Sequence, residues 1–163
     1  FYKTKGINLT CSPLSAQRYI DSPNIEFKIC NSLGSTDENE VEAMAAVEMV
    51  NRYLNKGLRP NRIAVITPYR RQVRRIYKLL SEAHPDDEEL PLVDTVERLQ
   101  GQDVDVIVIS FSVDDELYFS SQKSFIMNPN RLNVMFSRAT SKVVLICSDL
   151  VKEELSSLIW RRL

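Results

Sequence analysis

Apolar and polar positions along this chain switch between a two-residue and a helical period. Ile25, Phe27 and Ile29 alternate with Glu26 and Lys28, which predicts a strand over 25–30. Ile63 to Ile66, Val106 to Phe111 and Val143 to Cys147 are nearly continuous apolar runs, predicting buried strands over 62–67, 104–111 and 143–148. A short strand over 92–95, followed by a helical turn through Leu99, completes the set. Between the strands, Val41, Ala45, Val50 and Leu54 space out a helix over 38–55 that Lys56 and Gly57 stop. A second helix spans 69–82, with Val73, Ile76, Tyr77 and Leu80 as its buried face, and ends at His84 and Pro85. A third covers 130–140, and a fourth starts near Leu150. Asn31 to Asp37 and the acidic stretch 85–91 read as loops, Asp114 to Lys123 as a mobile polar loop, and 1–24 as an irregular lead-in. This alternation predicts an α/β fold with a largely parallel sheet and helices on both faces, as one domain over 1–163.

Composition narrows the function classes. The chain has 163 residues, 44% hydrophobic and 26% charged, enough for one globular core. A net charge of −1 gives no global basic field, so any nucleic-acid contact has to be local. Cys11, Cys30 and Cys147 are scattered with no CxxC pair, which suggests reduced thiols and no zinc site. The single histidine, His84, sits in an acidic loop and is expected to be solvated. No apolar run reaches membrane length and no signal peptide opens the chain; the start at Phe1 without Met suggests a piece of a longer protein.

The helix from Asn128 carries the most specific pattern. Asn128 can cap it and Pro129 suits its first turn. Leu132, Met135, Phe136 and Ala139 make one buried face, and Arg131 and Arg138 fall seven residues apart on a stripe beside it. At a rise of about 1.5 Å per residue their Cα atoms stand roughly 10 Å apart, a spacing that can aim two guanidinium groups into one cleft. The bland alternative is two surface arginines on a core helix. The second helix carries Arg71, Arg74, Arg75 and Lys78 on one face, either a phosphate-binding stripe or, more simply, a solvated one.

Three segments in order give a family resemblance. Thr67-Pro68-Tyr69 with Gln72 fits a Thr-Pro-Tyr-x-x-Gln pattern (motif IV). Gln100-Gly101-Gln102-Asp103 fits Gln-Gly-x-acidic (motif V). Arg131-Leu132-Asn133-Val134 with Ser137-Arg138-Ala139 fits Arg-Leu-Asn-Val-x-x-(Ser/Thr)-Arg-Ala (motif VI). Together they resemble the C-terminal RecA-like (P-loop NTPase-type) motor domain of superfamily 1 helicases, in the group of the nonsense-mediated-decay helicase and the Dna/Nam type. Asn39, Glu42 and Ala43 fit a weaker helix-start pattern of the same family.

The resemblance implies the following roles. Arg138 reaches the γ-phosphate, Arg131 braces the cleft, and Arg70 substitutes for an arginine that some relatives carry after the motif IV glutamine, where this chain has Val73. Tyr69 stacks on adenine, Gln72 and Asp103 serve the nucleotide, and Gly101 admits close backbone approach. Thr67 and Thr95 face nucleic-acid phosphate. Asp103 is shorter than the family's usual Glu, and Thr140 replaces its usual basic residue. No Gly-x-x-x-x-Gly-Lys-(Ser/Thr) loop occurs in the sequence, and no Asp-Glu pair after a strand fits a metal site for phosphoryl transfer. The implied cofactor is therefore ATP with Mg²⁺, its metal ligands on a first RecA-like domain of the same polypeptide, and the isolated chain is expected to be inactive. The implied partner is single-stranded DNA or RNA, with no membrane, in a cytoplasmic or nuclear setting. A degenerate, non-catalytic RecA-like domain that binds nucleic acid or protein is the alternative. A Rossmann-like small-molecule enzyme is disfavoured, because no Gly-rich dinucleotide turn follows any strand.

Overall fold

The computed structural model describes residues 25–160. The lead-in 1–24, with Cys11, lies outside the described residues. The elements run β1 (Ile25–Ile29), α1 (Glu40–Asn55), β2 (Ile63–Ile66), α2 (Arg70–Ala83), β3 (Leu92–Asp94), β4 (Val104–Ser110), α3 (Glu116–Ile126), α4 (Pro129–Ser137), β5 (Ala139–Cys147) and α5 (Asp149–Trp160). Short 3₁₀ turns at Pro60–Arg62 and Val96–Leu99 lead into β2 and follow β3. The strands form one five-stranded sheet in the order β1-β5-β4-β2-β3, parallel throughout.

The continuous apolar runs form central strands because both their faces are covered. Ala64, Ile66, Ile107, Ile109, Val143 and Leu145 point to one layer, packed under α3, α4, α5 and the Val96–Leu99 turn. Ile63, Val65, Val106, Val108, Val144 and Ile146 point to the other, under α1 and α2. Each of these buried Val, Leu and Ile side chains contributes about 1.5–3 kcal/mol of transfer free energy, and the sheet is the frame to which the loops at both ends attach.

Several boundaries differ from the sequence reading. The stretch expected as a mobile loop contains α3: Asp115 caps it by accepting from Tyr118 N at 2.7 Å, and Phe119 and Ile126 are buried. Helix α4 ends at Ser137 rather than near 140, and β5 begins at Ala139, four residues before its expected start. A one-residue irregularity in the β4–β5 ladder between Val104 and Val106 accommodates the early start. Tyr77, expected in the buried face of α2, is 53% exposed. His84 is not simply solvated: Nδ1 meets Asp87 at 2.8 Å and Nε2 meets Asn51 at 2.6 Å.

Candidate functional site

Because the sheet is parallel, the loops gather at two ends, and the motif residues divide between them. Thr67, Tyr69, Arg70 and Thr95 follow β2 and β3 at the carboxyl end. Gly101, Asp103 and Arg138 precede β4 and β5 at the amino end. Ile66 is paired with Ile109, so the Asp103 level lies about 20 Å from that of Ile66, the residue before Thr67, at roughly 3.3 Å per residue. The domain does not bring Arg138 and Arg70 to one point.

At the carboxyl end Tyr69 precedes α2 as its cap residue. Its ring is half-buried beneath α3, with ring centroids 6.1 Å from Tyr118 and 5.8 Å from Phe125. Burial, and Tyr118 as a polar neighbour, push the Tyr69 phenol up, yet its buried hydroxyl makes no hydrogen bond. Arg70 pairs with Asp94 at 3.0 Å, and Arg98 reaches the same carboxylate at 3.3 Å. Arg131, at the start of α4, lies 4.2 Å over the Phe125 ring and pairs with Glu97 at 3.1 Å. Burial works to raise the Glu97 carboxyl, but the Thr95 hydrogen bond, its own backbone N–H and the charges of Arg131 and Arg70 hold it below its ordinary value.

Two residues expected to contact ligand are interior instead. Gln72 is fully buried. Its carbonyl accepts from Asn39 N at 2.8 Å, and its amide donates to Asn39 O and Ser110 Oγ, both at 3.0 Å. Both amide hydrogens are thus used in tying α2 to the cap of α1 and to the end of β4. Thr67 is also fully buried, its hydroxyl without a partner, so it presents no surface to nucleic acid in this conformation. Thr95 is 5% exposed, with its backbone N–H on Asp94 at 2.7 Å.

Beside Gln72 lies a group that sequence reasoning placed only as part of a helix-start pattern. Glu42 is completely buried; its Oε2 accepts from Ser110 Oγ and Ser112 N, both at 2.8 Å, while Oε1 has no partner. Desolvation pushes its pKa from an ordinary 4.5 up to about 8, against the opposing hydrogen bonds, with the charge of Asp114 adding to the rise. Ser112, which donates to it, has a positive φ of 64°.

At the amino end Arg138 stands just past α4, in helical conformation, its carbonyl accepting from Val104 N at 3.0 Å. Its guanidinium meets Asp103 at 3.2 Å, while its buried Nε makes no hydrogen bond. Arg131 and Arg138 therefore begin near one another on the chain but point to different partners, rather than into one cleft wall. Gly101 has φ of +79°, and a Cβ there would meet nothing within 4 Å. The glycine allows the left-handed turn that leads into β4. Beside the pair, Arg62 grips Asp105 with two nitrogens at 2.6 and 3.1 Å, and Thr140 donates to Asp105 at 2.8 Å. Burial alone would raise Asp105, but these bonds hold it below its ordinary value.

The basic face of α2 is largely neutralised. Arg71 pairs with Asp37 and Glu38, and Arg75 with Glu38 and Glu40. Arg74 remains exposed. Among the described residues no group of three His, Cys, Asp or Glu side chains is placed to hold a metal ion, and no helix is long and apolar enough to cross a membrane.

Comparison with known proteins gives this geometry its context. The protein family described as an AAA domain (AAA_12) matches residues 8–150. The DNA replication ATP-dependent helicase/nuclease DNA2 of Bos taurus is 32% identical over 108 residues, covering 66% of this chain and 10% of the relative. The ATP-dependent helicase NAM7 of Saccharomyces cerevisiae is 29% identical over 116 residues, covering 69% and 12%. The chain thus spans about a tenth of the length of these curated relatives. Among solved structures, the C-terminal domain of a possible DNA helicase from Lactobacillus plantarum WCFS1 shares the fold, with a TM-score of 0.54 at 13% identity over 87% of this chain and 91% of that one. A family match over 8–150, helicase relatives and a parallel sheet bearing the three motifs in order make this chain a member of the AAA-domain family, as a C-terminal RecA-like domain of the superfamily 1 helicase type.

Proposed function

We propose that this chain is the second motor domain of an ATP-dependent superfamily 1 helicase that acts on single-stranded DNA or RNA inside the cell. ATP with Mg²⁺ binds between it and a first RecA-like domain, which supplies the phosphate-binding loop and metal ligands. In this reading Arg138 stabilises charge on the transferring phosphoryl group, Arg131 braces the cleft, Tyr69 meets the base side of the nucleotide, and the exposed Arg74 faces the strand. The observation that carries the reading is Arg138 itself. Its backbone is fixed between α4 and β5, its guanidinium lies at the surface on a single carboxylate, and the sequence around it fits the helicase motif on both sides.

Arginines donate to phosphate through a planar fork, and Arg138 leaves most of that fork unused in this domain alone. Closure of the first domain onto this face would complete the site and shift the grip on the strand. The test is ATP turnover by the intact protein with and without single-stranded nucleic acid, set beside the isolated chain. Strand-stimulated turnover by the intact protein alone supports the reading.

One observation favours a second reading, a non-catalytic binding module. Arg70, Arg131 and Arg138 are each tied to a carboxylate, at Asp94, Glu97 and Asp103. An intact protein that binds single strands and never turns over ATP would establish it.

A further inference from the structure

Asp103 was assigned by resemblance to the nucleotide. The geometry points elsewhere: we propose that Asp103 is a positioning residue that holds Arg138 in the open domain and competes with the nucleotide's phosphate for it. The inference rests on Arg138 as the phosphate-facing arginine.

Three observations carry it. First, the Asp103 carboxylate is already engaged: Oδ1 lies 3.2 Å from an Arg138 terminal nitrogen. Second, the two partners are anchored differently. Arg138 is held by its backbone bond to Val104 at the junction of α4 and β5. Asp103 ends a run of exposed residues, Gln100 to Asp103, that contains the left-handed Gly101. Its carbonyl accepts from an Arg62 terminal nitrogen at a long 3.5 Å. The carboxylate is the partner that can leave. Third, the guanidinium meets Asp103 through one terminal nitrogen and one carboxylate oxygen, at 3.2 Å. A bidentate phosphate oxygen pair satisfies such a fork better than one carboxylate oxygen. Without nucleotide, Asp103 keeps the side chain ordered at the surface; with nucleotide, it is displaced.

The size of the effect follows from exposure. The Arg138 and Asp103 side chains are 35% and 59% exposed. An ion pair that open shifts an equilibrium by about two- to five-fold, and salt screens it. A direct nucleotide ligand and a competitor for the arginine predict opposite signs on removal of the carboxylate. The test uses the intact protein, with binding of a fluorescent non-hydrolysable ATP analogue measured at low and high salt for Asp103→Asn, Arg138→Ala and the double variant. Asp103→Asn should tighten binding about two- to five-fold at low salt. The gain should shrink at high salt and vanish on the Arg138→Ala background. Weaker binding by Asp103→Asn overturns the inference and makes Asp103 a nucleotide ligand. An equal gain with and without Arg138 overturns it as well, since the carboxylate would then act by general repulsion. If Arg138→Ala binds and turns over ATP like the wild type, the function proposed above fails, and this inference with it.

Discussion

Replacing Glu42 by Gln should make the protein's stability less sensitive to pH, by an amount the structure allows to be worked out. Glu42 is fully enclosed and its pKa stands at about 8, against an ordinary 4.5. A folded-state pKa above the unfolded one means the stability is fully present below about pH 4.5 and is lost as pH rises towards 8. Over that window the unfolded chain ionises while the folded one stays neutral. Each pH unit costs about 1.4 kcal/mol, so between about pH 5 and pH 8 the wild type should lose about 3 kcal/mol through this group alone. Gln keeps an oxygen for Ser110 Oγ and Ser112 N and cannot ionise. It places an amide where Oε1 has no partner, which adds a constant cost of about 1–2 kcal/mol. All other titrating groups are shared, Asp114 included, so they cancel in the difference. Denaturant unfolding of both proteins across this range measures it directly. The Gln variant should gain about 3 kcal/mol relative to wild type from the acid to the alkaline end. A difference that stays flat with pH would show that Glu42 ionises freely in the fold, and would refute the reasoning.

Two further substitutions test the packing around the site. Tyr69→Phe should leave unfolding free energy within about 0.5 kcal/mol of wild type, because the buried hydroxyl has no partner to lose; a loss above about 1.5 kcal/mol would reveal a bond that the structure lacks. Gln72→Ala removes three hydrogen bonds that tie α2 to Asn39 and Ser110 and should cost about 2–4 kcal/mol by thermal or chemical unfolding. A near-neutral result would return Gln72 to the surface and to the nucleotide.

The sheet was legible because its strands are fully buried: Ile63 to Ile66 and Val106 to Ile109 have no polar residue to blur the run. The α4 start was legible because Asn128 and Pro129 leave few alternatives. Its side chain accepts from Asn130 N at 3.0 Å and Arg131 N at 3.2 Å. Helix α3 was hidden by its serines and Gln122, which outnumber its buried positions; the available signal was Asp115 followed three residues later by an aromatic run. The site was the least legible part. Motif patterns name residues without saying which way they face: Gln72 faces inward because it ties α2 to Asn39 and to Ser110 at the end of β4, and Thr67 because it directly follows the buried strand β2. Arg138 falls outside its expected helix because β5 pairs with Val104 from Ala139 onward and takes the chain into extended form. The basic face of α2 proved a solvated, paired one because Asp37 and Glu38, just before α1, and Glu40, its first residue, lie beside it.

The central claim is that Arg138 serves phosphoryl transfer, and strand-stimulated ATP turnover by an Arg138→Ala variant of the intact protein tests it most directly. Arginines in this role contribute about 10³–10⁵ in rate, so turnover should fall by at least about 10³ while the unfolding transition stays cooperative. Arg138→Lys should fail similarly, since a lysine presents no planar fork. Near-normal turnover by Arg138→Ala would contradict the account.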